Sequence, residues 1–359
     1  MVKHAIIVKQ YKERNMIKKA KKSLESALSD IPFVKIKEIK SNVRADNKVI
    51  DFILKVLVSG KPTKFIVEVK SQGEPRMIRM ALAQIQTYLQ AYPNAYGILV
   101  APYISDTSRQ ICKEAGIGCI DLAGNILLSF RNIYIDRSGI PNPYSSARLS
   151  KSLFSPKSSR ILRVLLSDPI KRWYVEDISQ EASISIGLTS RVKRALLEKE
   201  WIKEEKKKFY LVKFEEVLDE WVKNYSYTKS QSFSFYSSLS EDQLVGAIKK
   251  ECIKRKCKYG LGLFSGARRV APFVRFLRFF AYIDGDIETI AKILQLKKVE
   301  TGPNVTLLRP YDEGIFYALQ NINSINVVSD IQLYLDLKSY KGRGEEAAQA
   351  IFEQRLKLK

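Results

Sequence analysis

Apolar residues in the first 121 positions change between helical and extended spacing, and the order of those changes restricts the fold. Helical spacing places apolar residues three and four apart, whereas a strand alternates apolar and polar residues. In order, the spacing predicts a helix at about 12–28, strands at about 33–39, 49–58 and 64–70, a helix at about 75–91, a strand at 96–101, a helix at about 106–114 and a strand at 118–121. This α-β-β-β-α-β-α-β order predicts a mixed sheet with helices on both faces.

Two polar stretches divide the chain. Ser138–Ser159 contains three prolines among many serines, and Ser226–Ser240 is rich in serine and tyrosine. Such residues favour turns and loops, so we interpret both stretches as linkers. A chain of 359 residues is also too long for one ordinary core. We predict an α/β multidomain protein with domains at 1–137, 160–225 and 241–359 and linkers at 138–159 and 226–240.

Basic residues dominate the charge of the chain. Lysine and arginine outnumber aspartate and glutamate by 61 to 38, which gives a formal charge of +23. Such an excess attracts polyanions, and we expect DNA as the partner, although charge alone leaves RNA open. The sequence has no run of about 18 apolar residues for a membrane span, and its basic N-terminus lacks the apolar region of a signal peptide. We therefore expect a cytoplasmic protein that does not bind membranes.

Histidine and cysteine are scarce, and this excludes several catalytic chemistries. His4 is the single histidine, so Ser-His-Asp, Cys-His and polyhistidine metal chemistries are nearly excluded. The four cysteines are too few and too irregularly spaced for a disulfide framework or a paired zinc motif. Catalysis by this chain would therefore rest on carboxylates, lysines and an oxygen-bound metal.

Two carboxylates and a lysine lie in apolar strands of the first domain. Glu68 and Lys70 are two positions apart, so their side chains point to the same face of a strand. Asp51 lies in another apolar strand, where an ionised carboxylate needs a partner or a cation. We predict that Asp51 and Glu68 bind Mg²⁺ or Mn²⁺ and that Lys70 orients or deprotonates the attacking water. The alternative is an ordinary cross-strand ion pair on a solvated face.

Asp51, Glu68-x-Lys70 and Gln84-x-x-x-Tyr88 together resemble the PD-(D/E)XK nuclease superfamily, in its RecB-like and archaeal-resolvase-like branch. The resemblance implies a restriction-endonuclease-like domain that hydrolyses phosphodiester bonds. It also implies that Gln84 and Tyr88, which lie one helical turn apart, orient the site or contact DNA. The implied metal ligands are Asp51, Glu68 and Val69.

The sequence departs from the family pattern in two places. Val49-Ile50 stands where the family has a proline before the aspartate. The upstream glutamate that some members use corresponds to either Glu25 or Glu13. A degenerate domain that binds DNA without cleaving it therefore stays open as an alternative.

Residues 118–125 read Gly-Cys-Ile-Asp-Leu-Ala-Gly-Asn and have two interpretations. We favour a tight turn between strands, because aspartate begins such turns and glycine and asparagine tolerate positive φ. The same run resembles the end of nuclease-like domains that are fused to abortive-infection regulators.

The 160–225 domain shows three helical stretches followed by a hairpin. The helices are expected at about 157–166, at 176–182 and from Ser185 to about Lys199, and the hairpin from Trp201 to Lys213. This is the order of a winged helix-turn-helix, whose third helix enters the major groove; a protein–protein module is the alternative. The predicted DNA contacts are Ser185, Thr189, Ser190, Arg191, Lys193, Arg194, Lys206, Lys207 and Lys208.

The last domain carries a second resemblance. Ser265–Arg275, together with Val328–Leu337 and Gly342–Ala348, is similar to the C-terminal region of AbiEi-type antitoxins and related transcriptional regulators. This implies an α/β domain distantly like a minimal nucleotidyltransferase. We expect a degenerate domain, because the Gly-Ser and Asp-x-Asp arrangement of such enzymes is missing from the sequence. Asp284-Gly285-Asp286 is most simply a turn.

Two functions follow from these features. The first is a DNA-binding, Mg²⁺-dependent endonuclease of the PD-(D/E)XK type. The alternative is a non-catalytic winged-helix transcriptional regulator or AbiEi-type antitoxin. Besides DNA, two further partners are to be tested: a nucleotidyltransferase-like toxin encoded in the same operon, and a second copy of this chain.

Overall fold

A computed structural model describes residues 2–45, 48–131, 133–143, 153–271 and 278–357, without the side chains of residues 2–14, 45 and 48. Within these ranges the chain forms two compact units. The first contains residues 1–146 and 198–200, and the second contains residues 147–197 and 201–359. None of the described helices is long and apolar enough to cross a membrane.

The first unit is built on a seven-stranded mixed sheet. Its elements are α1 (Val2–Ser29), β1 (Val34–Ala45), β2 (Lys48–Val58), β3 (Lys61–Val69), α2 (Pro75–Ala91), β4 (Ala95–Ala101), α3 (Asp106–Glu114), β5 (Gly118–Asp121), β6 (Ile126–Phe130) and β7 (Ile133–Arg137). The strands lie side by side in chain order, from β1 to β7. The β3–β4 and β4–β5 pairs are parallel, and the other pairs are antiparallel.

Helices cover both faces of this sheet, because alternate residues of β3 pack against different helices. Phe65 belongs to a core that includes Leu24 of α1. Ile66, the next residue, packs with Tyr88 of α2. The mixed α/β arrangement expected from the sequence is therefore confirmed, and the eight elements occur in the expected order. β6 and β7 were not expected, since both are five-residue strands beyond the turn after β5.

The second unit begins with three helices and a hairpin. They are α4 (Pro156–Ser167), α5 (Val175–Glu181), α6 (Ile186–Glu198), β8 (Ile202–Glu205) and β9 (Lys208–Leu211). Trp173 and Phe209 exchange two backbone hydrogen bonds of 2.9 Å, so a third short segment lies beside the hairpin. The three helices and the hairpin agree with the sequence prediction. Part of the first proposed linker, residues 144–152, lies outside the described residues.

A second seven-stranded mixed sheet forms the remainder of the second unit. The elements are α7 (Phe214–Asn224), β10 (Gln231–Tyr236), α8 (Glu241–Arg255), β11 (Tyr259–Leu261), α9 (Leu263–Val270), β12 (Phe279–Ile283), α10 (Ile287–Ile293), β13 (Lys297–Lys298), β14 (Val305–Arg309), β15 (Gln320–Ile322), β16 (Ile325–Val327), α11 (Asp330–Lys338) and α12 (Gly344–Ile351). The strand order is β13-β10-β14-β12-β11-β16-β15. Strands distant in sequence thus become neighbours in the sheet.

The interpretation of residues 226–240 as a linker is wrong. β10 lies within this stretch and pairs antiparallel with β14, and Phe235 of β10 is buried. The serines suggested a loop, but Phe233 and Phe235 alternate with them as the core side of a strand requires. The start of the second unit also differs from the predicted 160, because Leu153 and Phe154 already belong to its core.

One core runs through the whole second unit. A single cluster of buried apolar side chains extends from Leu153 to Leu356. It includes Leu162 of α4, Val192 of α6 and Leu335 of α11. The helices with the hairpin and the second sheet, which the sequence suggested as separate domains, therefore share one packed interior.

Candidate functional site

Asp51 and Glu68 lie next to each other on adjacent strands. Phe52 of β2 pairs with Val67 of β3, and Asp51 and Glu68 are the next residues on each strand. The Asp51 Oδ2 atom accepts a hydrogen bond of 2.7 Å from the Val69 amide. Burial raises the pKa of both carboxyl groups, and the negative charge of Asp51 raises that of Glu68 further. The sheet thus holds two carboxylates where ionising both is costly.

Lys70 stands directly after β3, beside Glu68. Its Nζ atom donates to Glu68 Oε1 at 2.6 Å and to Gln84 Oε1 at 3.1 Å. Its backbone amide donates to the Val100 carbonyl at 2.8 Å, which continues the pairing with β4. Both ends of Lys70 are therefore fixed, and its ammonium group stays at the carboxylates.

Gln84 and Tyr88 connect this lysine back to the strand that carries Asp51. Gln84 Nε2 donates to the Tyr88 hydroxyl, and that hydroxyl donates to the Val49 carbonyl at 3.1 Å. Burial raises the pKa of Tyr88, with smaller contributions from the charges of Glu68 and Asp51. A continuous series of hydrogen bonds thus runs from β2 through α2 to Lys70. The sequence did not indicate that the Val49 carbonyl belongs to this series.

The donor set fits a hard divalent cation. Glu68 Oε2 is buried and has no hydrogen-bond partner among the described residues. Two carboxylates and a backbone carbonyl such as that of Val69 suit Mg²⁺ or Mn²⁺, which keep several waters. The described residues contain no group of three or more ligating His, Cys, Asp or Glu side chains. Glu25 therefore does not complete the site, and the Glu13 side chain lies outside the described residues.

Asp121 is a structural turn residue. Its Oδ1 accepts from the amides of Ala123, Gly124 and Asn125 at 2.9 to 3.0 Å, and its Oδ2 accepts from Asn125 Nδ2 at 2.8 Å. Gly124 has a φ of 108°, which favours glycine. The tight turn expected between β5 and β6 is therefore confirmed.

Most of the side chains predicted to contact DNA are exposed. The exposed ones are Ser185, Ser190, Arg191, Arg194, Lys206 and Lys207. Thr189 was wrongly placed with them, since it is completely buried and its hydroxyl donates to the Ser185 carbonyl at 3.1 Å. Lys193 is mostly covered and pairs with Glu204 at 2.6 Å. Lys208 is half-buried, with its Nζ atom 4.8 Å from the centre of the Tyr174 ring.

Residues 210–357 match a family model described as "Transcriptional regulator, AbiEi antitoxin, Type IV TA system". The chain carries an AbiEi-type domain at its C-terminal part. The match begins within β9 and includes β10, so the AbiEi-type domain starts earlier than the predicted residue 241. It comprises less than half of the 359 residues. No curated protein matches the chain.

Two solved structures also show similarity to this chain. One is entitled "Structure of EndoMS-dsDNA2 complex" and is 15% identical over 28% of this chain and 43% of that chain, with a TM-score of 0.22. The other is a repair endonuclease from Pyrococcus abyssi, which is 14% identical over 28% of this chain and 46% of that chain, also with a TM-score of 0.22. The chain thus spans less than half the length of either protein. A TM-score of this size does not establish a shared fold.

The conspicuous polar residues of the AbiEi-type domain have structural roles. Asp284 Oδ1 accepts from the Lys258 amide at 2.5 Å, and Asp286 caps α10 by accepting from the Thr289 amide at 3.2 Å. The turn expected at Asp284-Gly285-Asp286 is consistent with both contacts. Residues 272–275 of the first AbiEi-like run lie outside the described residues. The distant likeness to a nucleotidyltransferase stays a prediction.

Sequence reasoning missed the two most deeply buried charged residues among those described in the second unit. Arg163 of α4 is 2% exposed and Asp336 of α11 is fully buried. Their signal in the sequence is a charged residue flanked on both sides by apolar residues that all belong to the core: Ile161-Leu162-Arg163-Val164-Leu165 and Tyr334-Leu335-Asp336-Leu337. Charged residues are seldom fully buried unless they are paired, so such positions mark polar clusters inside a core.

Proposed function

We propose that this chain is a DNA-binding protein whose first unit hydrolyses phosphodiester bonds with a divalent cation, as a PD-(D/E)XK nuclease does. The observation that carries the proposal is the meeting of Asp51, Glu68 and Lys70 at one point of the sheet. A purely structural ion pair would be expected to satisfy its own atoms. Here a buried oxygen of Glu68 keeps no partner among the described residues, and burial disfavours both negative charges.

Each residue has a distinct role in this proposal. Asp51, Glu68 and the Val69 carbonyl would hold the cation, which would polarise the phosphodiester and make a water molecule more acidic. Lys70 would donate hydrogen bonds to the attacking water or to a phosphate oxygen, and its ammonium group cannot ligate a metal. Gln84 fixes the direction of Lys70 through its 3.1 Å contact, and Tyr88 fixes Gln84. Gln84 and Tyr88 are thus positioning residues.

The second unit would bring the nuclease to DNA. The succession of α4, α5, α6 and the β8–β9 hairpin is that of a winged helix-turn-helix. In this proposal the exposed N-terminal part of α6 reads base edges with Ser185, Ser190 and Arg191. Arg194 and the hairpin tip, residues 206–208, bind phosphates. Thr189 has no role in DNA contact, because it is buried.

A cleavage assay with one conservative substitution tests the nuclease. The full-length chain is incubated with supercoiled, linear, branched and single-stranded DNA in Mg²⁺ or Mn²⁺. Glu68→Gln should abolish metal-dependent cleavage and leave DNA affinity intact, because the fold and the basic residues remain. Lys70→Ala should lose rate but still bind Mn²⁺ in a calorimetric titration, since an ammonium group is not a ligand.

Glu38→Gln is the matched control for this assay. Glu38 lies on β1 of the same sheet, its side chain is 39% exposed, and it pairs with Lys55 at 2.7 Å. The same chemical change there should leave cleavage unaltered. Equal cleavage by wild type and Glu68→Gln, or no cleavage of any substrate by the wild type, would contradict the proposed nuclease.

A second candidate function is favoured by the family match over residues 210–357. In that case the chain is a transcriptional regulator or antitoxin that represses its own operon, and the first unit binds DNA without cutting it. Its partners would be a nucleotidyltransferase-like toxin encoded beside it and a second copy of the chain. Repression of a reporter by the wild type and equally by Glu68→Gln, together with absent cleavage, would select this function.

A further inference from the structure

A cluster of polar side chains is buried in the second unit around Asp336 of α11. Asp336 has no exposed surface. Its Oδ1 atom accepts from the hydroxyl of Tyr225 at 2.6 Å, from the hydroxyl of Tyr282 at 3.0 Å and from Gln332 Nε2 at 2.6 Å. Tyr225 follows α7 and Tyr282 lies on β12. One carboxyl group thus joins three separate parts of the second unit.

Arg163 brings α4 into the same cluster. Its guanidinium lies 5.1 Å from the centre of the Trp221 ring, and it also hydrogen-bonds Tyr311. Its positive charge lowers the pKa of Asp336 and so favours the ionised carboxylate. The groups that act on Asp336 through charge or hydrogen bonding are Arg163, Tyr225, Tyr227, Tyr282, Tyr311 and Gln332.

Three buried atoms of this cluster lack a hydrogen-bond partner among the described residues. They are Arg163 Nη1, Gln332 Oε1 and Asp336 Oδ2. Buried polar atoms without partners are uncommon and costly, so three in one cluster call for an explanation. A proton on Asp336 converts an acceptor into a donor. The hydrogen bonding inside the cluster therefore depends on one proton.

That proton is exchanged near neutral pH. Burial raises the pKa of Asp336 to about 7, against the opposing effects of the three hydrogen bonds and of Arg163. In a state where water reaches the cluster, the carboxyl group returns to its ordinary pKa of about 3.9. The buried state therefore holds a proton that the hydrated state loses between about pH 4 and pH 7. The free-energy advantage of the buried state over the hydrated state is complete below about pH 4 and decreases until about pH 7.

We propose that this cluster is a proton-operated latch that holds α4 on the AbiEi-type domain and loosens as Asp336 ionises, because the cost of burying the charge exceeds the attraction of Arg163. α4 is the first helix of the segment to which we assign DNA binding. The latch would therefore let a change in the AbiEi-type domain reach the DNA-binding helices. This last link rests on the proposed function, whereas the latch itself does not.

Hydrogen exchange of the α4 amides in the full-length chain tests the latch. Protection factors, corrected for the intrinsic exchange rate, are measured between pH 5 and pH 9. In the wild type the protection of α4 should fall by up to about tenfold per pH unit up to pH 7 and then level off, as one carboxyl group requires. In Asp336→Asn, which cannot ionise, protection should not show this fall.

Two further variants separate the latch from a merely structural role. Tyr225→Phe removes one hydrogen bond to the ionised carboxyl group. The levelling point, which is the pH at which the protection of α4 stops falling, should therefore move above pH 7. Asp219→Asn alters an exposed aspartate on α7 and should keep the wild-type profile. If Asp336→Asn keeps the fall in protection, or if Tyr225→Phe keeps the wild-type levelling point, the latch is wrong.

The same hydrogen-exchange experiment with added duplex DNA distinguishes this proposal from the proposed function. Saturating duplex DNA should increase the protection of α11 amides as well as those of α6, because coupling between two sites is reciprocal. Bound DNA that protects α6 but leaves α11 unchanged would overturn the link between the latch and the DNA-binding helices, whereas the latch itself is decided by the pH profiles of α4. If no duplex binds at any pH, DNA binding fails, while the pH profiles of α4 still decide for or against the latch.

Discussion

Replacing Asp336 with asparagine should stabilise the protein progressively as pH rises to neutrality. In the folded chain the pKa of Asp336 is about 7, whereas in the unfolded chain it is about 3.9. Between these values the folded chain holds a proton that the unfolded chain has lost. The wild-type free energy of unfolding therefore falls by about 1.4 kcal/mol per pH unit, or about 4 kcal/mol across the whole interval. Because asparagine does not ionise, the free energy of unfolding of the variant does not show this fall.

Urea unfolding of wild type and Asp336→Asn at pH 5 and pH 8 measures the effect. About two pH units of the interval lie between these values, so the variant should gain about 3 kcal/mol relative to the wild type. Every other titrating group cancels in the difference between the two proteins. Asp219→Asn, at an exposed position, should show no such gain. A difference that stays constant or shrinks between pH 5 and pH 8 would refute a buried carboxyl group with a raised pKa.

Three other substitutions test the remaining contacts. Tyr88→Phe leaves the Val49 carbonyl without its hydroxyl donor and should cost about 1–3 kcal/mol in urea unfolding, and it should lower the cleavage rate with little change in metal affinity. Replacing residues 206–208 with alanine should weaken binding to all duplexes alike and reduce the slope of log affinity against log salt by up to about 3, measured by fluorescence anisotropy; an unchanged slope would remove the hairpin tip from the interface. Arg191→Ala should cost about 1–3 kcal/mol and relax preference at one base position in a binding-site selection, whereas an equal loss on every sequence would assign Arg191 to phosphates.

The local pattern of the sequence predicted the elements of the first unit and the neighbourhood of its site. The apolar period identifies β2, β3 and α2, and a two-residue spacing places Glu68 and Lys70 on one face. These are short-range consequences of helix and strand geometry. The short strands β6 and β7 were not predicted because five residues are too few to show a clear apolar period. The strand β10 was not predicted because its serines suggested a loop, although its phenylalanines alternate with them as strand residues do.

Long-range contacts could not be read from the sequence. The hydrogen bond of Tyr225 to Asp336 joins residues 111 positions apart. That of Tyr88 to Val49 joins residues 39 positions apart and involves a carbonyl, which leaves no trace in the residue type. Thr189 was misplaced for a related reason. A polar residue at the edge of the apolar stripe of a helix can face either way, and the packing around α6 decides that it is buried.

The shared interior of the second unit restricts where recombination can divide such a chain during evolution. The family match begins at residue 210, inside a core that extends from Leu153 to Leu356. Recombination at that boundary would separate Trp221 and Asp336 from Arg163 and would leave apolar surface uncovered on both fragments. We therefore expect the helices before residue 210 to travel with the AbiEi-type domain during evolution, and a DNA specificity to be changed by substitutions on α6 rather than by exchange of the whole segment.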